Sequence, residues 1–454
     1  MFDQDREQKT QDNIREAAIK AKPPSFDLLT FSVWGLFTLG VFSGVFLAVH
    51  YVPTFSQAFP SVERLNEEVP FGWMVRRFHA VGGNLLLFLF LIHLLREFYV
   101  GRYKVQPRIA WVLEVLLLLF TVRVNFTGSF LPLSQSAFWS TATALSHVSS
   151  LPWIGGVMVE FVRGGKELGN AALVRFYSMH IGFSVLIGFL LFLLYRMGRT
   201  GKESGQKDSP NQNLVTAAVV AALLLGVATF APDWFVDSLK EAARPTLNPE
   251  RVSFPWYLLF LNETLPLFNA AYPFFSLLFL MLVLFLILFL PYIDRNPGQG
   301  LLLRPFAMAL CAAFLVVWIY FSLVGIANAR YGERVVVPDR ALSEVEVAGA
   351  KVFTEKNCAY CHQVAGKGGR GQGPDMTGIA RRGRSRDWLQ RFICNARLYQ
   401  PGTAMPRYEI PLEDLEALSA YLLTLDSRKE IFKTIDRTRF MEMSFGVQFQ
   451  GEKR

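Results

Sequence analysis

Cys358-Ala359-Tyr360-Cys361-His362 sets two thiols three positions apart with an imidazole directly after the second. A CxxCH box is the pattern that holds a c-type haem: the thiols add to its vinyl groups and the histidine reaches the iron. CxxC alone also serves redox dithiols and zinc sites. The adjacent histidine, with a methionine downstream able to act as sixth ligand, narrows the pattern to haem. Attachment of haem c takes place on the oxidising side of a membrane. The box therefore implies electron transfer and also a topology.

A second constellation is made of histidines in apolar runs. His79 and His93 are fourteen positions apart, almost four helical turns, so both imidazoles share one helix face about 21 Å apart along the axis. That spacing suits ligands to two stacked haems in a helix bundle, and His180, on another apolar run, offers a partner. Polar groups in a bilayer are costly, and three histidines on two adjacent spans favour ligation over packing.

These elements need a membrane to position them. The chain has 454 residues, 52% of them hydrophobic, 41 phenylalanines and only 18% charged residues. Seven apolar runs approach the roughly 20 residues a crossing needs: 28–51, 84–99 (beginning in effect near 75), 110–130, 174–195, 214–230, 274–290 and 301–324. The first 27 residues are polar and charged, unlike a cleavable signal. Lys and Arg cluster after the second run (Arg96, Arg102, Lys104, Arg108) and after the fourth (Arg196, Arg199, Lys202, Lys207), and the connection between the third and fourth is poorer in them. The positive-inside rule then puts the N-terminus inside and, after seven crossings, the CxxCH domain outside. The net charge of +9 belongs largely to these inner loops and calls for no nucleic acid. Of the remaining cysteines, Cys311 within the last run and Cys394 in the haem domain read as packed apolar residues.

The expected organisation is a cytoplasmic segment 1–27, a four-helix part 28–200, a three-helix part 201–326, a polar connector 327–340, a haem c domain 341–426 and a charged tail 427–454. The fold class is all-α: a seven-span helical bundle with a C-terminal periplasmic domain.

Several longer strings carry a family resemblance. Trp73-Met74-Val75-Arg76-Arg77-Phe78-His79 through His93, Phe126-Thr127-Gly128-Ser129-Phe130-Leu131-Pro132-Leu133-Ser134-Gln135, and Arg175-Phe176-Tyr177-Ser178-Met179-His180 resemble the cytochrome b subunit of quinol:cytochrome c oxidoreductases. Leu290-Pro291-Tyr292-Ile293-Asp294-Arg295-Asn296-Pro297 and Arg304-Pro305 are similar to that family's C-terminal part. The resemblance covers about 25–330, as four helices plus three. It implies an outer haem b between His79 and His180, with Gly44 and Gly128 giving clearance to the porphyrin. The Gly373-Pro374-Asp375 and Gly402-Thr403-Ala404-Met405-Pro406 strings resemble a class I cytochrome c, which implies Met405 as the sixth ligand of haem c and Met376 as the alternative. A His/Met pair raises the potential, as an acceptor requires.

The departures from the family shape the expectation. The inner site keeps His93, but its fourth-helix partner falls at Leu194 or Tyr195. Its glycines fall at Thr30 and Glu114. An inner haem is therefore expected to be absent or strongly altered, with Tyr195 the candidate for an unusual ligand. Glu114 and Arg123 are read either as a structural ion pair or, through Glu114 and His93, as a proton path. The family's Pro-Glu-Trp-Tyr motif reads Phe254-Pro255-Trp256-Tyr257 here, which leaves Tyr257 and nearby Glu263 as candidates at a quinol site that has lost its usual acid.

The resemblance implies one covalent haem c, one haem b, and a quinone as substrate. Implied partners are quinol or quinone, a Rieske-type iron–sulfur or other redox subunit, a periplasmic electron carrier, membrane lipid and a homo- or hetero-dimer, with no nucleic acid. The implied location is a bacterial inner membrane. The expected role is a membrane-bound electron-transfer subunit of a bc-type complex, passing electrons between quinol or quinone and a periplasmic acceptor, with an incomplete inner haem site; the alternatives are a full Q-cycle reductase with an atypical inner haem and a non-catalytic anchor and relay.

Overall fold

A computed structural model describes residues 28–104, 106–149, 153–165, 167–200, 210–230, 239–246, 255–264, 274–294, 304–328, 334–368, 373–400, 403 and 405–443. The N-terminal segment, most of the polar break near 200–213 and the end of the tail lie outside these residues.

Each apolar run folds as a helix, because a backbone in lipid has to satisfy its own hydrogen bonds. In the four-helix part these are α1 (Leu28–His50), α3 (Gly72–Val100), α4 (Arg108–Phe130) and α7 (Asn170–Thr200). Among the described residues five helices are long and apolar enough to cross a membrane: Ser32–His50, Gly72–Val100, Arg108–Phe130, Asn170–Met197 and Ala307–Ile326. Two further expected runs also form helices. These are α8 (Pro210–Phe230) and α10 (Phe274–Leu288). The 15 residues of α10 reach about 22 Å, short of a bilayer core, and Pro291 starts a new turn in α11 (Leu290–Ile293). Phe42, Val45 and Val49 on α1 and Val185 on α7 are exposed, as residues facing lipid tails would be.

Helix α1 packs on α3, and α4 packs on α7; α8 leans on α1 and α3. Short helices α2 (Ala58–Glu67), α5 (Gln135–Ser149) and α6 (Gly155–Arg163) occupy the connections at one end of this bundle. At the other end, Gly101 closes α3 in the left-handed conformation (φ 76°), its N–H reaching the Glu97 and Phe98 carbonyls. A glycine there avoids the steric cost that a side chain would bring.

The same end ties the last helices to the first four. Arg304, 3% exposed, donates to the carbonyls of Phe98 and Tyr99, both at 2.7 Å. Tyr103 donates to Asp294 at 2.5 Å, and Lys104 lies 2.8 Å from the same carboxylate. Burial and the Asp294 hydrogen bond push the Tyr103 phenol up to about 12. Leu290–Asp294 and Arg304 therefore serve as the clamp that holds α10 and α12 (Pro305–Asn328) onto the bundle. Trp111 adds a hydrogen bond to the Ile287 carbonyl at 2.8 Å.

The haem domain departs from a purely helical description. Strand β1 (Arg334–Pro338) pairs antiparallel with β4 (Phe432–Asp436), so the stretch read as connector and the stretch read as tail join across the domain. Val335, Val336 and Val337 are buried in its core, and Tyr421 donates to the Val336 carbonyl at 2.5 Å. Helix α13 (Glu344–Glu355) starts with a capping box, in which Ser343 accepts from the Glu346 N–H and Glu346 accepts from the Ser343 N–H. Helix α15 (Leu412–Thr424) crosses α13 so closely that a Cβ at Gly349 would lie 1.9 Å from the Ala417 carbonyl oxygen. Within the stretch expected to be a polar connector, Val335–Val337 form the apolar part of a strand, which pairs because β4, far along the chain, supplies the matching edge. The second small ladder joins β2 (Gln363–Val364) to β3 (Lys367–Gly368).

Candidate haem sites

His79 on α3 and His180 on α7 come together in the bundle, ring centroids 6.0 Å apart and edge-on. Each faces the glycine predicted for it. A Cβ at Gly44 would lie 3.0 Å from His79 Cε1, and one at Gly128 would lie 2.8 Å from His180 Cε1. Glycine is needed at both positions because the imidazole fills the space of a side chain.

The second nitrogen of each ring is tied back to protein. His79 Nδ1 lies 3.1 Å from the Gly40 carbonyl and 3.0 Å from Ser43 Oγ. His180 Nδ1 lies 3.0 Å from the Val124 carbonyl and 3.4 Å from Thr127 Oγ1. A carbonyl only accepts, so Nδ1 carries the proton and Nε2 keeps its lone pair. A metal-ligating histidine is fixed in this way, tautomer and orientation together.

The inner half is built differently. His93 Nε2 faces Glu114 Oε1 at 4.0 Å, so the acid at the expected glycine position meets the orphan histidine. Glu114 does not pair with Arg123, which is exposed on the other side of α4. Tyr195 is exposed and meets Trp34 edge-on at 6.3 Å. Leu36, Phe90, Leu117, Leu190 and Leu191 pack together in one apolar cluster with Phe37 and Leu113. Thr30 lies on α1, and its side chain falls outside the described residues.

In the haem domain, His362 Nδ1 lies 3.0 Å from the Pro374 carbonyl, the same arrangement as at His79 and His180. A Cβ at Gly373 would sit 2.6 Å from two atoms of the His362 ring. Burial lowers the His362 pKa and keeps the ring neutral, against the raising effect of the Pro374 bond. Burial pushes the thiols of Cys358 and Cys361 up to about 12. Met376 is buried, its N–H donating to the Gln363 carbonyl at 2.8 Å. It follows Pro374 by two residues, on the flank of His362 that Nδ1 faces. Met405 lies on a separate loop, partly buried against the same core.

Tyr257 and Glu263 are both buried. Tyr257 has no hydrogen-bond partner for its hydroxyl among the described residues, and burial raises its pKa. Its neighbour Trp256 donates to Asn84 at 2.9 Å, which ties this segment to the stretch of α3 between His79 and His93. Glu263, on the short helix α9 (Leu259–Thr264), packs on α12: a Cβ at Gly325 would meet its Cγ at 3.5 Å. Phe254 lies outside the described residues.

One feature escaped the sequence. Ser134-Gln135 pins the stretch 239–244: Gln135 Oε1 accepts from the Arg244 N–H at 2.5 Å, and the Gln135 N–H donates to Glu241 at 3.0 Å. A buried Gln after a Pro-Leu-Ser corner was its only signal.

The comparisons follow the same division. Family models match at three places: "Cytochrome b/b6/petB" over 25–199, "Cytochrome b(C-terminal)/b6/petD" over 242–337 and "Cytochrome c" over 346–426. Cytochrome b of Schizosaccharomyces japonicus is 29% identical over 299 residues, 63% of this chain and 76% of the relative. Cytochrome b/c1 of Bradyrhizobium diazoefficiens is 29% identical over 314 residues, 65% of this chain. The match spans less than half, 45%, of that relative's length. A solved structure titled "Hyperthermophilic respiratory Complex III" superposes with a TM-score of 0.58 over 72% of this chain and 91% of that chain, at 20% identity. At that identity it supports the fold alone.

Proposed function

We propose that this chain, a multi-pass membrane cytochrome b extended by a cytochrome c domain, passes electrons between a quinone pool and a periplasmic acceptor through one outer haem b and one haem c. Cytochrome b and cytochrome c domains in one chain make it a bc-type electron-transfer subunit. The finer statement rests on the contrast between the two halves of the bundle. His79 and His180 face each other over Gly44 and Gly128, whereas His93 faces an acid.

His79 and His180 would hold haem b, and His362 with Met405 would hold haem c attached at Cys358 and Cys361. Bound haem supplies one-electron redox chemistry. The protein's part is to fix each imidazole by its Nδ1 bond, to keep water away and to set potential through the second ligand. The CxxCH domain is outside in this reading, as haem attachment and the Lys/Arg pattern require. The fused domains leave room for an iron–sulfur or other redox subunit as a further partner. Tyr257 and Glu263 are the candidates near a quinol, without the family's usual acid.

The experiment is a haem count on the purified chain by pyridine haemochrome spectra. One haem b per haem c is expected. Two per haem c would overturn the reading in favour of a complete two-haem chain.

A further inference from the structure

Four of the five residues of the haem-attachment box are divided between two hydrophobic cores. Cys358 and Ala359 pack into the core of the haem domain itself. Tyr360 and Cys361 pack instead into a cluster built from the cytochrome b part, with Phe130 and Leu133 from the end of α4 and Leu173 and Phe176 from the start of α7. Tyr360 is only 2% exposed, far less than a residue on the free face of a haem domain would be. The same cluster includes Phe126 and Met179, neighbours in sequence of Gly128 and His180. The packed cluster therefore reaches from the helix segments that carry Gly128 and His180 to the point where haem c would be bonded to the protein.

A polar contact fixes the same seam. Arg397, on the turn after α14 (Arg386–Cys394), makes an ion pair with Glu167, in the loop between α6 and α7. Arg163 at the end of α6 is buried. Burial first, and then the nearby Arg397 cation, lower its pKa, so Arg397 comes close to cytochrome b at two places. Two residues of the box and one charged turn thus seat on the outer helices.

We infer that the haem c domain works docked in this position and receives its electron directly from the outer haem b of the same chain, with no domain movement and no shuttle between them. This rests on the function proposed above. The step moves one electron and no proton: ferrous haem b is oxidised to ferric as ferric haem c is reduced to ferrous. Transfer is favoured by packed protein between the two centres, and the cluster of Met179, Phe176 and Tyr360 supplies it.

The test uses the whole chain in nanodiscs, without partner subunits. In a Cys394→Ser background, Glu167→Cys and Arg397→Cys are joined with a short bifunctional maleimide, and the cross-link is read by mass spectrometry on resting protein. Haem b is then reduced by a light pulse with a photoreductant and the appearance of ferrous haem c is followed. Near-complete cross-linking is expected, with first-order haem c reduction at a rate unchanged by dilution and unchanged in the locked protein. Separately, Glu167→Arg and Arg397→Glu should each slow the step several-fold, and the charge-swapped double variant should restore it. Failure to cross-link, a rate that rises with protein concentration, or a locked protein that no longer reduces haem c would each overturn the docked path. A chain that lacks haem b altogether would instead sink the proposed function, and the haem count detects that beforehand.

Discussion

His79 and His93 lie on one face of one helix, yet the halves of the bundle around them are built on opposite principles. Around His79 the neighbouring helices give way: Gly44 and Gly128 leave space, and His180 arrives from across the bundle. Around His93 no glycine among the described residues faces the ring; Glu114 lies 4.0 Å from it instead. A haem needs two ligands and two clearances at once. In the proposed reading, losing the opposite ligand and a glycine together leaves the inner half without a haem. What remains, an imidazole beside a carboxylate, can hold a proton but offers iron a single neutral nitrogen.

The largest effect that would sharpen this contrast comes from the ligands themselves. His180→Ala should abolish the haem b spectrum while leaving haem c intact, and His93→Ala should leave both spectra as they are. Equal loss of haem b in the two variants would break the comparison.

Clearance comes next. At Gly128 even an alanine would bring its Cβ to 2.8 Å from the His180 ring, and overpacking of this kind costs about 1–3 kcal/mol. Gly128→Val should therefore reduce haem b content strongly, and Gly128→Ala should make its release faster. Glu114→Gly, by contrast, should leave haem b content unchanged, because space without a second ligand does not make a site. Haem content and release to apomyoglobin measure both.

The haem domain offers a parallel. Met405→Ala should leave haem c covalently attached but lower its potential and remove the weak long-wavelength band of a Met-ligated ferric haem. Survival of that band would assign the sixth position to another residue, with Met376 tested next.

The smallest effect lies away from both haems. The Glu346 carboxyl is held at about 2 by its hydrogen bond and ion pair with Arg340, below the ordinary 4.5. A folded pKa below the unfolded one stabilises the domain above about pH 4.5 and loses that stabilisation as pH falls towards 2. Arg340 is 38% exposed, so solvent screening limits the gain to about 1 kcal/mol or less. Arg340→Ala should narrow the difference in haem domain stability between pH 6 and pH 3, read from thermal unfolding at the haem absorption band. The haem b signals should not change.

Sequence by itself determined the chemistry-bearing residues and their spans. CxxCH, the fourteen-residue spacing of His79 and His93 and the strings around His180 were legible because haem attachment and helix periodicity leave local marks. The Thr30, Glu114 and Leu194 departures were legible for the same reason. Only the tertiary structure decided what those residues meet. It gave His93 the acid Glu114, turned Tyr195 to Trp34, and set Nδ1 of three histidines on backbone carbonyls, two of them on neighbouring helices and one on a loop. It also paired 334–338 with 432–436 and shared the CxxCH box between two cores. Those contacts join positions far apart in the chain, and a side chain's partner across a bundle depends on how helices cross rather than on any local pattern.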